Sequence, residues 1–170
     1  MPRYVAFLRG VSPMNAKMAE LKLCFETAGF SDVRTLLSSG NVVFGTRSSS
    51  SDALARRCEQ AMRDQLDRTF ATIVRPARYL QELIESDPFA RFDVPPDAKH
   101  VVTFFRGRAP DLVLPIERDG AAILAITDSE AFTYYTPGDK APAFMTLLER
   151  TFGTSITTRT LDTVRKCAVA

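Results

Sequence analysis

Apolar and polar residues follow one another in a regular order over the first half of the chain. The run YVAFL (4–8) is continuously apolar and ends at Arg9 and Gly10, which predicts a buried strand. From Met18 onward, apolar residues recur at helical spacing until Gly29, which is a typical stop after a helix. The pattern therefore predicts a strand, a loop and a first helix.

Two strands are predicted on either side of the sequence SSGN, because DVRTLL and NVVF both suit paired antiparallel strands. Gly40 can adopt the positive φ that such a turn usually requires. The polar loop RSSSSD then leads to a helix from Asp52 to about Arg68, which Ser51 or a neighbour can cap. The run FATIVRP predicts a further strand, which ends at about Pro76.

This order, βαββαβ, is that of a ferredoxin-like sandwich. We therefore predict a ferredoxin-like N-terminal half over residues 1–76, followed over 77–99 by a connecting helix and a proline-rich loop. Residues 100–170 repeat the order and add a terminal helix. The first helix of this second half is missing, because residues 109–119 are too few and are interrupted by prolines.

The predicted fold class is accordingly α+β, with two ferredoxin-like α/β-plait halves and mainly antiparallel sheets. The second half is an imperfect copy of the first. Its opening strand ends in Arg106 and Gly107, as the opening strand of the first half ends in Arg9 and Gly10.

The topology places polar residues of the first half at one edge. Strands one and two run parallel, and strand three returns between them, so that the end of strand one meets the start of strand three. The residues expected at this edge are Arg9, Ser12, Asn15, Lys17, Ser39 and Asn41.

Such an edge favours a small anion, because a helix N-terminus and two cations would lie together. The alternative is purely structural. Asn15 or Ser12 would cap the first helix, Ser39 and Asn41 would form turn bonds, and the two cations would be solvated. Arg159, just before the helix cap Thr160, is a second-rank candidate for ligand binding.

Composition indicates a folded protein. The chain has 170 residues, of which 45% are hydrophobic and 25% are charged, and its formal net charge of +2 does not select nucleic acid or a membrane as a partner. There is no apolar run of about 20 residues and no signal-peptide cleavage site, so we expect a cytoplasmic protein. Cys24, Cys58 and Cys167 have apolar neighbours and are expected to be buried thiols; only Cys167, after Arg165 and Lys166, is a weak candidate for reactivity.

The common catalytic motifs are absent from the sequence. His100 is the single histidine and no Cys-x-x-Cys spacing occurs, so we expect no metal site. No Gly-x-Ser-x-Gly elbow, Walker loop or dinucleotide fingerprint is present, and we expect no cofactor and name no catalytic residue. His100 opens a strand, where we expect it to face solvent. Whether the protein is an enzyme stays open.

Four segments resemble a bacterial family, the domain of unknown function 1697. They are RYVAFLRGV, MAELKLCFETAGFSDVRTLLSSGNVVF, HVVTFF and TTRTLDTVRKCA. The resemblance implies two ferredoxin-like halves and implies no established activity, substrate or catalytic residue. The chain departs from the family's usual pattern in having VSPMNAK after its first strand and Thr160 and Leu161 where relatives carry asparagine and tryptophan.

The favoured function is a small-molecule or anion-binding module without a catalytic centre. One alternative is a single-stranded RNA-binding domain that uses aromatic residues of its central strands, Phe7 or Tyr4 with Phe44. We do not expect nucleic acid, because no basic-aromatic ribonucleoprotein motif is present. The other alternative is a structural or assembly domain that pairs with a second copy. The sequence does not predict the oligomeric state.

Overall fold

The computed structural model describes all 170 residues, which form two units. Unit 1 comprises Met1–Glu82 together with Arg165–Ala170, and unit 2 comprises Leu83–Val164. The domain boundaries predicted from the sequence, at residues 1–76, 77–99 and 100–170, remain a prediction. No helix is both long enough and apolar enough to cross a membrane.

Unit 1 contains one four-stranded antiparallel sheet and the helices that cover it. Its elements in chain order are β1 (Arg3–Leu8), α1 (Met18–Thr27), β2 (Ser31–Leu36), β3 (Asn41–Gly45), α2 (Ser51–Leu66) and β4 (Thr72–Pro76). The strand order is β2-β3-β1-β4, with β3 antiparallel to both β1 and β2. This is the ferredoxin-like order, and the predicted fold class is confirmed.

Unit 2 contains a five-stranded sheet. Its elements are β5 (Lys99–Phe105), β6 (Ile116–Arg118), β7 (Ala121–Ile126), β8 (Glu130–Tyr135), α4 (Pro142–Phe152) and β9 (Ile156–Thr160). The strand order is β6-β7-β8-β5-β9, which repeats the order of unit 1 with β6 added at the edge. Helices α3 (Ala77–Glu85) and α5 (Leu161–Ala168) each contain residues of both units.

The missing first helix of unit 2 changes the packing of the remaining one. In unit 1, α1 packs against β2 and α2 packs against β4; in unit 2, α4 packs against β7, the strand that corresponds to β2. One helix therefore covers the side of the sheet that a first helix would have covered. The short strand β6 was not predicted, because three residues are too few to give a periodic signal.

The core of unit 1 is rich in aromatic rings. Phe44 on β3 lies 4.3 Å from Phe30, 5.8 Å from Phe25 and 6.0 Å from Tyr4, measured between ring centroids. All four rings are buried. Helix α1 ends at Thr27, and Gly29 follows as the predicted stop; next to it the Phe30 N–H donates to the Phe25 carbonyl, and the two rings pack together.

The three cysteines are free and buried, as expected from their apolar neighbours in the sequence. Burial raises the pKa of Cys58 and of Cys24 above the ordinary value of a thiol.

We expect no cysteine of the folded protein to react with Ellman's reagent at pH 8, because burial keeps the reagent from all three thiols and a raised pKa also lowers the thiolate fraction of Cys24 and Cys58. All three should react after unfolding in guanidinium chloride. The measurement is the absorbance of released thionitrobenzoate. Rapid labelling of Cys167 in the folded protein would contradict the burial seen here.

A candidate anion site at the strand ends of unit 1

Three strand ends of unit 1 meet at one edge, which we call the rim. The Leu8 N–H donates to the Gly40 carbonyl at 2.9 Å, and the Arg9 N–H donates to the Ala71 carbonyl at 2.9 Å. In the strand register, Phe7 lies opposite Asn41. The register therefore brings Arg9 and Asn41 to a common edge, as expected from the order of elements.

Gly40 lets the loop after β1 pack onto the turn before β3. Its φ is +89°, and a Cβ placed on it would lie 2.8 Å from the Cβ of Val11 and 3.1 Å from the Cβ of Leu8. A side chain would clash with both neighbours. Gly40 is therefore required by its conformation and by the close approach of Val11.

The turn itself is held by Asn41, which is completely buried. Its amide nitrogen donates to the Leu36 carbonyl at 2.8 Å and to the Ser39 hydroxyl oxygen at 3.0 Å. These are the local turn bonds that the structural alternative predicted for Ser39 and Asn41. The two side chains shape the rim.

Asn15 and Ser12 organise the loop between β1 and α1. The Asn15 side-chain oxygen accepts from the Ser12 N–H at 2.9 Å, and its nitrogen donates to the Gly10 carbonyl at 2.8 Å. The Ser12 hydroxyl accepts from the Met14 N–H at 3.3 Å. The structural alternative in which Asn15 or Ser12 caps α1 is wrong for these two residues, because the N-cap residue is Lys17 and both side chains bond within the loop.

Helix α1 begins without a side-chain cap. Its N-cap residue is Lys17, which is exposed and accepts no helical N–H with its side chain. The end of the helix therefore presents backbone donors beside a cation, which is the arrangement that attracts anions.

Arg68 is a rim residue that the sequence interpretation missed. Its guanidinium donates to the Asn15 carbonyl at 3.1 Å across 53 positions of the chain. It follows α2, which ends at Leu66, two residues earlier than predicted, with Asp67 in the left-handed conformation. No local sequence pattern predicts this contact, since it depends on the direction that the chain takes after the left-handed residue Asp67.

One carboxylate also lies at the rim. The Glu59 side chain accepts from the Thr72 N–H at 3.0 Å, next to Ala71 at the start of β4. The sequence gives no hint of this role, because Glu59 is spaced like an ordinary helix-surface residue. A second carboxylate, that of Glu20, lies in the first turn of α1, so the rim combines the cations Arg9, Lys17 and Arg68 with two acidic residues.

A family model described as "Protein of unknown function (DUF1697)" matches residues 1–131. The chain belongs to the DUF1697 family. The resemblance found in the sequence motifs is thereby confirmed. No curated protein sequence matches the chain.

A solved structure supports the fold of this DUF1697 protein. The conserved bacterial protein SP0830 from Streptococcus pneumoniae superposes with a TM-score of 0.72, and the match covers 99% of this chain and 97% of that one. Only 18% of the residues are identical. The likeness therefore shows a shared fold and nothing about function.

Arg159, the second-rank candidate, belongs to unit 2, where it lies opposite Val102 on the edge strand β9 and donates to the Thr158 carbonyl at 2.8 Å. Thr160 caps α5 as predicted, since its hydroxyl accepts from the Thr163 N–H at 3.3 Å.

His100 packs against Phe89 of unit 2, whereas the sequence predicted a solvent-facing ring. Its ring is half-buried and stacks on Phe89 with centroids 4.4 Å apart, and it lies opposite Tyr134 in the sheet. Burial raises the pKa of Tyr134, and the nearby carboxylates of Glu117 and Asp93 raise it further. The Tyr134 phenol therefore stays protonated at neutral pH and does not supply a base.

The small net charge of the DUF1697 chain hides a difference between its units. Unit 1 has fourteen Lys and Arg residues against eight Asp and Glu, a formal charge of +6, whereas unit 2 has eight against twelve, a charge of −4. The rim with an open helix end thus belongs to the basic unit.

Proposed function

We propose that this DUF1697 protein is a cytoplasmic module that binds a small anion, such as a phosphate or carboxylate compound, at the rim of unit 1. The observation that carries the proposal is the N-terminus of α1, which has no side-chain cap and begins at an exposed lysine. Free buried thiols suit a reducing compartment.

The loop that leads into α1 supports the proposal because hydrogen bonds within unit 1 hold its conformation. Asn15 bridges two positions of the loop, and Arg68 holds it from α2. A binding loop that is already in place loses little entropy when a ligand binds. The positive charge of unit 1 would also attract anions to this edge.

The geometry supports the RNA-binding alternative less well. Base stacking needs exposed rings on the central strands. Tyr4, Phe7 and Phe44 are all buried, so none of them offers a ring face to a base.

The assembly alternative is disfavoured at the outer strand β2. This strand has an irregular register between Ser31 and Arg34, and Asp32 there forms ion pairs with Arg3 at 3.2 Å and Arg34 at 3.6 Å. Bulges and charges are devices that prevent edge strands from pairing with another chain.

Titration with inorganic phosphate and with citrate, followed by ¹H–¹⁵N NMR spectra, tests the proposal. We expect saturable shifts of the amide signals of Gly10 to Glu20 in the wild-type protein. The double variant Arg9→Ala/Lys17→Ala should weaken binding about tenfold or more, because two nearby positive charges are lost. Lys22→Ala, which removes an exposed lysine one turn further along α1, is the matched control and should bind normally. The proposal fails if neither probe shifts these signals or if the double variant binds as the wild type does.

A further inference from the structure

Two chain reversals of unit 2 enclose a cleft. One is the turn between β6 and β7, where Asp119 and Gly120 have φ values of +52° and +79°. The other is the loop 136–140, which leads from β8 into α4. Residues of both reversals line the cleft, whose volume is about 330 Å³. This volume lies at the small end of the range that is typical of ligand sites, so the cleft has room for a small molecule.

Backbone hydrogen bonds hold the two walls of the cleft. The Thr136 N–H donates to the Gly120 carbonyl at 2.9 Å and joins one wall to the other. The Ala141 N–H donates to the Gly138 carbonyl at 3.1 Å and closes the loop just before α4. A cleft whose walls are held by the protein itself loses little entropy when a ligand enters it.

Three charged side chains line the cleft, and none of them forms an ion pair. They belong to Asp119, Asp139 and Lys140, which are all exposed. Two carboxylates against one ammonium group give the cleft a formal charge of −1, within a unit whose own formal charge is −4. This charge distribution attracts cations and repels anions.

The rest of the lining offers surface for an apolar group. It consists of Thr136, Pro137 and the two glycines, Gly120 and Gly138. None of these residues carries a charge, and the proline ring is rigid and apolar. A short alkyl chain can therefore pack here while a charged head group stays at the carboxylates, as the stem and the head of a lysine side chain do on protein surfaces.

We propose that this cleft of unit 2 binds a small primary amine, with its ammonium group at Asp119 and Asp139 and its alkyl chain against Pro137. Carboxylates accept hydrogen bonds from an ammonium group, and such charge-assisted bonds are stronger than neutral ones. The inference goes beyond the proposed function and does not rest on it, because it concerns the other unit and a ligand of the opposite charge.

Titration of the full chain with n-butylamine at neutral pH and constant ionic strength, followed by ¹H–¹⁵N NMR spectra, tests the inference. We expect saturable shifts of the amide signals of Asp119, Gly120, Gly138 and Lys140. The uncharged analogue n-butanol should not produce them at the same concentrations. The inference is overturned if butylamine produces no saturable shifts here, or if butanol shifts the same signals equally.

Charge variants at the cleft give effects of opposite sign. Asp119→Asn and Asp139→Asn each remove one carboxylate and should weaken butylamine binding about twofold to fivefold, which is the usual effect of one exposed ion pair. Lys140→Gln removes the repelling cation and should strengthen binding by a similar factor. A gain in affinity cannot come from damage to the fold, so weaker or unchanged binding by Lys140→Gln would contradict the proposed ligand charge.

Asp128→Asn is the matched control. Asp128 is exposed and follows the end of β7, whereas Asp119 precedes its start, so the variant removes the same charge from unit 2 at a distant point. It should bind butylamine as the wild type does. An equal loss in this variant would trace the effect to the overall charge of unit 2 and overturn the inference. Failure of phosphate to bind at the rim of unit 1 would contradict the proposed function alone.

Discussion

Replacement of Gly40 with alanine should lower the free energy of unfolding by about 2–5 kcal/mol, from left-handed strain and overpacking together. The new Cβ would lie 2.8 Å from Val11 in a backbone conformation that alanine rarely adopts. Val11 belongs to the loop that forms the rim, so the variant should also lose anion binding. Urea denaturation followed by circular dichroism gives the stability, and phosphate titration gives the binding.

Gly10→Ala is the matched control for Gly40→Ala. Gly10 has nearly the same φ, +84°, but no atom lies within 4 Å of the position that its Cβ would take. It should therefore show the cost of the left-handed conformation alone, about 1–2 kcal/mol. If Gly40→Ala proves no more damaging than Gly10→Ala, the packing of Val11 against the turn is not what fixes Gly40.

Phe44→Ala should be the other most damaging change, with a loss of about 3–5 kcal/mol. The Phe44 ring is completely buried and contacts Tyr4, Phe25 and Phe30, which come from β1, α1 and the segment after α1. Its removal leaves a cavity between the sheet and the first helix. The midpoint of urea unfolding is the measurement.

Phe44→Leu separates the two contributions of this ring. Leucine fills much of the volume but loses the ring contacts, so a smaller loss than for alanine is expected. Equal losses for leucine and alanine would show that ring geometry, and not filled volume, stabilises this core.

The order of elements could be predicted because local sequence patterns indicate most of the strands and helices in each half. YVAFL, the helical spacing after Met18 and the SSGN turn each depend on neighbouring residues only, and the fold class followed from their order. The edge shared by Arg9 and Asn41 followed in turn from topology, which constrains distant residues once the strands are known.

The chemistry of individual side chains at that edge could not be predicted in the same way. Asn15 is a common helix cap by type, but the structure uses it inside the loop. Glu59 reaches the rim from α2, and Arg68 reaches it from the segment just after α2. Only the folded chain shows where these two side chains lie. Sequence patterns fix which elements meet, whereas hydrogen bonds between distant residues depend on the exact end of each element.

Unit 1 is interrupted in the chain by the whole of unit 2, and this has a consequence for synthesis on the ribosome. Arg165–Ala170 belong to unit 1, Cys167 there is buried, and the Ala168 carbonyl accepts from the Gln81 side chain at 2.7 Å. A nascent chain that has emerged only as far as Glu82 lacks this segment. The first unit to be translated is therefore the last to be completed, and its final contacts form only after the second has been made.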